Sequence, residues 1–260
     1  MSVVDAKRIV IKVGTSTLTY ANGKPNFRNF DALTRVISDL KNSGKEIALV
    51  TSGAISVGAN HMNLAERPTD VKGKQAAAAV GQCELMFMYD KFFSEYGQII
   101  AQILLTRDVV EHEERKQNVI NTFHELLRLG VTPIVNENDS VSIEELVFGD
   151  NDNLSAIVAT LINADLLIII TDIDGLYDKN PAEHDDAKLI PYVEEITPEM
   201  MNAAGGSGTN GGTGGMVTKL EAATHAAAAG IDTAIVSGEN LKNIYDLLDG
   251  KPVGTIFKGK

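Results

Sequence analysis

Short apolar runs recur along the chain at regular intervals. Ile9, Val10, Ile11 and Val13 fall within Arg8 to Val13, interrupted by Lys12. Ile47 to Val50, Ile99 to Leu105, Val131 to Val135, Leu166 to Ile170 and Thr233 to Val236 follow. Each has strand length and carries β-branched residues, so each predicts a β-strand. Strands that are apolar at nearly every position are buried on both faces, which predicts a mainly parallel sheet. The segments between them follow a helical period. From Phe30 to Ser43, Leu33, Val36, Ile37 and Leu40 recur at that spacing, and Gly44 supplies the stop. Lys74 to Tyr96, Val119 to Leu129, Leu154 to Ile162 and Thr218 to Ala229 also read as helices. Strands alternating with helices along the whole chain predict an α/β fold, a three-layer αβα sandwich around a central, mainly parallel sheet. With no internal repeat and no low-complexity linker, residues 1–260 read as a single compact domain.

Composition narrows the function. The chain has 23 Lys and Arg against 35 Asp and Glu, a net charge of −12. Binding a nucleic-acid backbone requires an excess of cations, so nucleic acid is not the expected partner. A small anion remains admissible, because a few local cations define such a site. The single cysteine, Cys83, rules out a disulfide within the chain and a Cys-rich zinc site. It lies in an Ala-rich, apolar helical pattern and is expected in the core. No run of 18 apolar residues exists, so no membrane helix is expected. The start, Met1-Ser2-Val3-Val4-Asp5, lacks the pattern of a signal peptide, which makes a cytoplasmic location the expectation.

Ligands of open α/β sheets bind beyond the carboxyl ends of strands, and four such ends here are polar or Gly-rich. Lys12 sits inside an apolar strand, which is costly unless its ammonium finds a partner. The alternative is a lysine snorkelling from a sheet edge. Gly14, Thr15 and Ser16 after it leave the backbone open to a phosphate. Thr51-Ser52-Gly53-Ala54 offers small residues at a strand-to-helix turn. Asn136-Glu137-Asn138-Asp139 brings acids to a strand end and suits a substrate amine or hydroxyl, or else forms a solvated loop. Gly149-Asp150-Asn151-Asp152-Asn153 opens a helix with more polar residues than one cap uses. From Gly205 to Gly215 seven of eleven residues are glycine, and Lys219 follows in the first turn of a helix. Cations are disfavoured at helix starts, so Lys219 is expected to face an anion. Gly206, Gly208 and Gly211 satisfy GxGxxG, but no strand precedes them, and the dinucleotide fingerprint fails its context test. The five histidines show no metal-binding spacing, and His124 and His225 read as structural or surface residues. Two distant lysines flanked by acidic, small-residue loops suit phosphoryl transfer, which needs positioning and positive charge more than covalent help.

At these motifs the chain resembles the amino acid kinase fold family, and within it the glutamate 5-kinases. The resemblance runs from about Arg8 to Phe257. It is carried by Val10-Ile11-Lys12-Val13-Gly14-Thr15-Ser16, Val50-Thr51-Ser52-Gly53-Ala54-Ile55, Leu104-Leu105-Thr106-Arg107, Pro133 to Asp139, Gly149 to Ala156, Thr171-Asp172-Ile173-Asp174-Gly175-Leu176-Tyr177 and Gly212 to Lys219. The runs Asn136 to Asp139 and Asp150 to Asn153 are the more specific to the glutamate enzymes. The resemblance implies ATP-dependent phosphorylation of the γ-carboxylate of L-glutamate, giving glutamyl 5-phosphate, the start of proline biosynthesis. It assigns catalysis to Lys12, Asp152 and Lys219, with Asp152 orienting both lysines. It places the acceptor at Ser52, Gly53, Ala54, Asp139, Asp150 and Asn151. ATP falls to Lys12, Gly14, Thr171, Asp172, Thr213, Gly214, Gly215, Met216 and Lys219. Mg²⁺ is expected on the nucleotide phosphates, with no residue assigned as its ligand. The part up to about residue 170 is expected to bind the acceptor and the remainder the nucleotide, in a short form without a C-terminal PUA domain. Proline as feedback inhibitor, a homo-oligomer and transient contact with glutamyl phosphate reductase complete the expectation. The alternatives are a kinase of the same family acting on acetylglutamate, aspartate, carbamate or UMP, or a non-catalytic sensor of nucleotide or amino acid.

Overall fold

The structure is a computed structural model and describes residues 3–141, 150–205 and 215–260. In chain order its elements are β1 (Arg8–Val13), α1 (Thr15–Leu18), α2 (Phe27–Asn42), β2 (Glu46–Val50), α3 (Ala54–His61), α4 (Val71–Glu95), β3 (Ile100–Leu105), α5 (Arg107–Glu111), α6 (Glu113–Arg128), β4 (Thr132–Glu137), α7 (Asn151–Leu161), β5 (Leu166–Thr171), β6 (Tyr192–Val193), α8 (Pro198–Gly205), α9 (Met216–Ala228), β7 (Asp232–Ser237), α10 (Asn243–Leu248) and β8 (Thr255–Phe257). They fall into two compact units, one of residues 13–148 and one of residues 1–12 with 149–260.

In the unit of residues 13–148 the strand order is β3-β4-β2, all parallel. Every residue of β4 is buried, which requires cover on both faces. The pairing Val50↔Val135 sets the carboxyl ends of β2 and β4 side by side. A further bond from the Thr51 N–H to the Val135 carbonyl, 2.9 Å, extends that ladder into the loop after β2. Helix α2 starts at Asn26, whose side chain accepts from the Asn29 N–H, and buries Phe30, Leu33, Val36, Ile37 and Leu40.

In the other unit the order is β1-β5-β7-β8-β6. β5 and β7 are parallel from Leu166↔Asp232 to Thr171↔Ser237, and β8 runs antiparallel to β7. All six residues of β5 are buried, and α7 and α9 pack together over this part of the sheet. The mixed α/β architecture with a mainly parallel sheet is thus present as the apolar runs predict. Among the described residues no helix is long and apolar enough to cross a membrane.

The elements beyond the sequence expectation are short or irregular. β6 and β8 have two and three residues, too few to show a period. Helix α6 starts at Glu113, a turn and a half before the expected Val119, because its first turns carry no apolar stripe. Cys83, expected in the core, is exposed. Helix α4 buries Ala78, Gln82, Leu85 and Tyr89 on one face, and Cys83 lies off that face.

Candidate active site

Three elements of the unit of residues 1–12 with 149–260 converge on Asp152. Strand β1 brings Lys12, which is 7% exposed, α9 brings Lys219, 4% exposed, and α7 places Asp152 in its first turn, fully buried. Asp150 takes the capping duty at the start of α7, accepting from the Asn153 N–H at 2.9 Å. That leaves the carboxylate of Asp152 for other partners. Its Oδ1 lies 2.6 Å from the Lys12 Nζ and its Oδ2 3.2 Å from the Lys219 Nζ. Thr218 Oγ1 stands 3.0 Å from the same Oδ2 and 2.9 Å from the Gly215 carbonyl. Thr218 is a group that the sequence reading missed. Its signal was its place beside Lys219 at the helix start, where a hydroxyl commonly turns back onto the backbone.

The electrostatics follow from the count of charges. Burial works to raise the Asp152 carboxyl, but the charges of Lys12 and Lys219, with the hydrogen bonds from both, hold it below its ordinary range. Two ammonium groups then share one carboxylate. Within these three side chains positive charge outnumbers negative, and Asp150, which caps the same helix, also feels the charges of Lys12 and Asp152. Such a cluster attracts an anion.

The remaining residues expected at the site stand as follows. Gly215 precedes α9 with no side-chain cap, and Met216 is the first residue of that helix. Thr213 and Gly214, like Gly149 and most of the Gly-rich loop, lie outside the described residues. Thr171 ends β5, buried, and its Oγ1 donates to the Asp172 carboxylate at 3.0 Å. Asn151 opens α7. Burial pushes the Asp150 carboxyl up from its ordinary value, against the hydrogen bond from Asn153.

Ser52, Gly53, Ala54 and Asp139 belong to the unit of residues 13–148, at the ends of β2 and β4. Gly53 has φ +96°, and a Cβ there would lie 3.2 Å from the Thr15 Cγ2, so this turn requires glycine. Asp139 lies in the turn after β4, closed by the Val141 N–H on the Asn138 carbonyl. Burial raises its carboxyl, and the nearby charge of Arg67 opposes this. Gly14 precedes α1. Among the described residues no group of three or more His, Cys, Asp or Glu side chains is arranged to hold a metal ion.

A sequence profile of the amino acid kinase family matches residues 7–237. The chain belongs to the amino acid kinase family. Within this family it is 57% identical over 260 residues to a glutamate 5-kinase of Clostridium perfringens, covering 98% of this chain and 97% of that one. It is 51% identical over 263 residues to a glutamate 5-kinase of Listeria welshimeri, covering 100% of this chain and 95% of that one. In three dimensions it superposes on an isopentenyl phosphate kinase of T. acidophilum with a TM-score of 0.67 at 15% identity, over 96% of this chain and all of that one. The last likeness concerns the fold alone, and the amino acid kinase fold is the one that the sequence motifs implied.

Proposed function

We propose that the protein transfers the γ-phosphoryl group of ATP to the γ-carboxylate of L-glutamate, forming glutamyl 5-phosphate for proline biosynthesis. The observation that carries this reading is the buried Lys12–Asp152–Lys219 cluster, in which two ammonium groups face one carboxylate. The glutamate 5-kinases at 57% and 51% identity supply the acceptor.

The chemistry needs little beyond what this cluster offers. A glutamate side chain with a pKa of about 4.3 is already ionised at neutral pH, so no general base is required. The barrier lies in bringing two anions together and in charge that develops on the transferring group. Lys12 neutralises the transferring phosphoryl group, and Lys219 stabilises charge towards the leaving oxygen. Asp152 fixes the direction of both ammonium groups, and Thr218 steadies Asp152. Ser52, Gly53, Ala54, Asp139, Asp150 and Asn151 hold glutamate, with Asp139 facing its ammonium group. Gly14, Thr171, Asp172 and the stretch Thr213 to Met216 hold ATP. Mg²⁺, arriving with the nucleotide, would supply further neutralisation of the phosphate charge. Residues up to about 170 serve the acceptor and the rest the nucleotide, within one kinase domain. A cytoplasmic homo-oligomer inhibited by proline, handing its product to glutamyl phosphate reductase, is the setting this reading implies.

Turnover measured with L-glutamate, N-acetylglutamate, aspartate and UMP tests the assignment. L-glutamate is expected to be the preferred acceptor; preference for any of the others overturns it.

A further inference from the structure

Helix α4 makes three unusual contacts, all within the unit of residues 13–148. Gln82 is buried, and its Oε1 accepts from the Asn136 Nδ2 at 2.9 Å. The orientation of both amides is fixed by the backbone. The Glu137 N–H donates to the Asn136 Oδ1 at 2.9 Å, which only an oxygen can accept. The Asn136 nitrogen therefore faces Gln82, and the Gln82 oxygen faces Asn136. Seven residues on, at the same helical face, Tyr89 is fully buried with its hydroxyl 2.7 Å from the Thr51 Oγ1. Gly81, next to Gln82, lies so close to α3 that a Cβ there would be 1.8 Å from the Ala54 carbonyl oxygen. Thr51 and Ala54 flank Ser52 and Gly53, while Asn136 lies three residues before Asp139.

We infer that α4 is the template that positions the two acceptor-binding loops, with Gln82 and Tyr89 as its positioning residues. The polar choice at position 82 is the informative one. The Gln82 Nε2 is buried and has no hydrogen-bond partner among the described residues. A buried donor left unpaired costs more than a neutral hydrogen bond returns. Gln82 therefore returns little net stability, since its one bond to Asn136 is offset by its own unpaired nitrogen. What it does is fix the rotation of Asn136 and, through the Glu137 N–H, the backbone that leads to Asp139. Tyr89 does the same for the turn at Ser52, through Thr51. Both side chains act on the loops that carry Ser52 and Asp139, so their effect falls on acceptor binding and not on the transfer step.

This inference rests on glutamate being the acceptor, and the experiment separates the two. Wild type, Gln82→Leu and Tyr89→Phe are compared for glutamate-dependent turnover and for melting temperature. The expected result is a glutamate KM raised roughly tenfold in each variant, the size of one lost hydrogen bond to a binding loop, with kcat and the KM for ATP little changed. Gln82→Leu removes the unpaired Gln82 Nε2 but takes the acceptor from the Asn136 Nδ2, and these offsetting effects are expected to leave its melting temperature close to that of wild type. An unchanged glutamate KM in both variants overturns the inference. So does a loss in which both KM values and melting temperature move together, since that marks a structural role alone. A wild type without glutamate-dependent turnover overturns the underlying reading instead.

Discussion

The surroundings of Asp152 and the ends of β2 and β4 are built on different physics. Around Asp152 the groups are charged, buried and drawn from three elements, and Coulomb attraction orders them. Around the ends of β2 and β4 the supports are neutral: an amide pair, a Tyr–Thr bond and a glycine contact between helices. In the first region Asp152 is the member that charge makes indispensable, because without it two buried ammonium groups face each other with no carboxylate between them. The second tolerates changes in stability but not in shape. On the proposed roles, transfer chemistry and acceptor recognition are expected to be separable by mutation.

The largest effect is expected where charge acts on the reaction. Lys219→Ala lowers kcat by about 10²-fold or more, with a much smaller change in the glutamate KM, as for a group that acts in the transition state. Steady-state kinetics with both substrates varied reads this directly; a near-normal kcat removes Lys219 from the mechanism. On the acceptor side, Asp139→Ala is expected to raise the glutamate KM by roughly 10- to 100-fold, the worth of a charged hydrogen bond. A loss confined to ATP affinity contradicts the role given to Asp139.

Gly81→Ala probes the neutral scaffold. Its Cβ cannot be placed without moving the Ala54 carbonyl, and overpacking of this kind costs typically 1–3 kcal/mol. The higher helix propensity of alanine offsets about 1 kcal/mol of that. A lower melting temperature together with a raised glutamate KM is expected, while a variant as stable as wild type shows that α3 and α4 separate freely.

The smallest effect is pH dependence. Burial raises the carboxyls of Asp139 and Asp150, so both take up protons at a higher pH than an ordinary aspartate. Protonated Asp139 no longer attracts an ammonium group. The glutamate KM therefore rises as pH falls, starting above the usual aspartate value of about 3.9, and in Asp139→Asn this rise is expected to shrink to the part due to Asp150 and to protonation of glutamate itself. Stability carries both signs. Asp152, held low by two lysines, stabilises the fold above the ordinary carboxylate value, and that contribution is lost as pH falls through its depressed value. Asp139 and Asp150, held high, favour the fold at low pH, and that contribution is lost as pH rises through their raised values. Urea unfolding midpoints of Asp152→Asn and Asp139→Asn against pH are expected to depart from wild type in opposite directions.

The contrast between the two regions also explains what the sequence made legible. Lys12 is conspicuous because an ammonium inside an apolar strand demands a partner, and Asp152 because a second acid follows a residue that already caps the helix. Lys219 stands at a helix start where a cation is out of place. Gln82 and Tyr89 carry no such mark within a helix that reads as alanine followed by aromatics. A sign was present: positions 78, 82, 85 and 89 share one face, and a glutamine among apolar neighbours on a buried face needs a partner. The strand-to-helix turn at Thr51 to Ala54 marked the start of α3, but not that Gly58 permits its close approach to α4, where a Cβ would lie 1.8 Å from the Ala77 carbonyl oxygen. The exposure of Cys83 was missed because composition alone does not tell which face of an apolar helix is turned inward. Strands β6 and β8 are too short for any period to show.

The most direct test of the central claim is to trap the product. Turnover of ATP is measured with hydroxylamine present, with and without L-glutamate, for the wild type and for Lys219→Ala. The account predicts glutamate-dependent hydroxamate from the wild type, reduced about 10²-fold or more in the variant. ATP binding without hydroxamate from the wild type, or equal hydroxamate from both proteins, would contradict it.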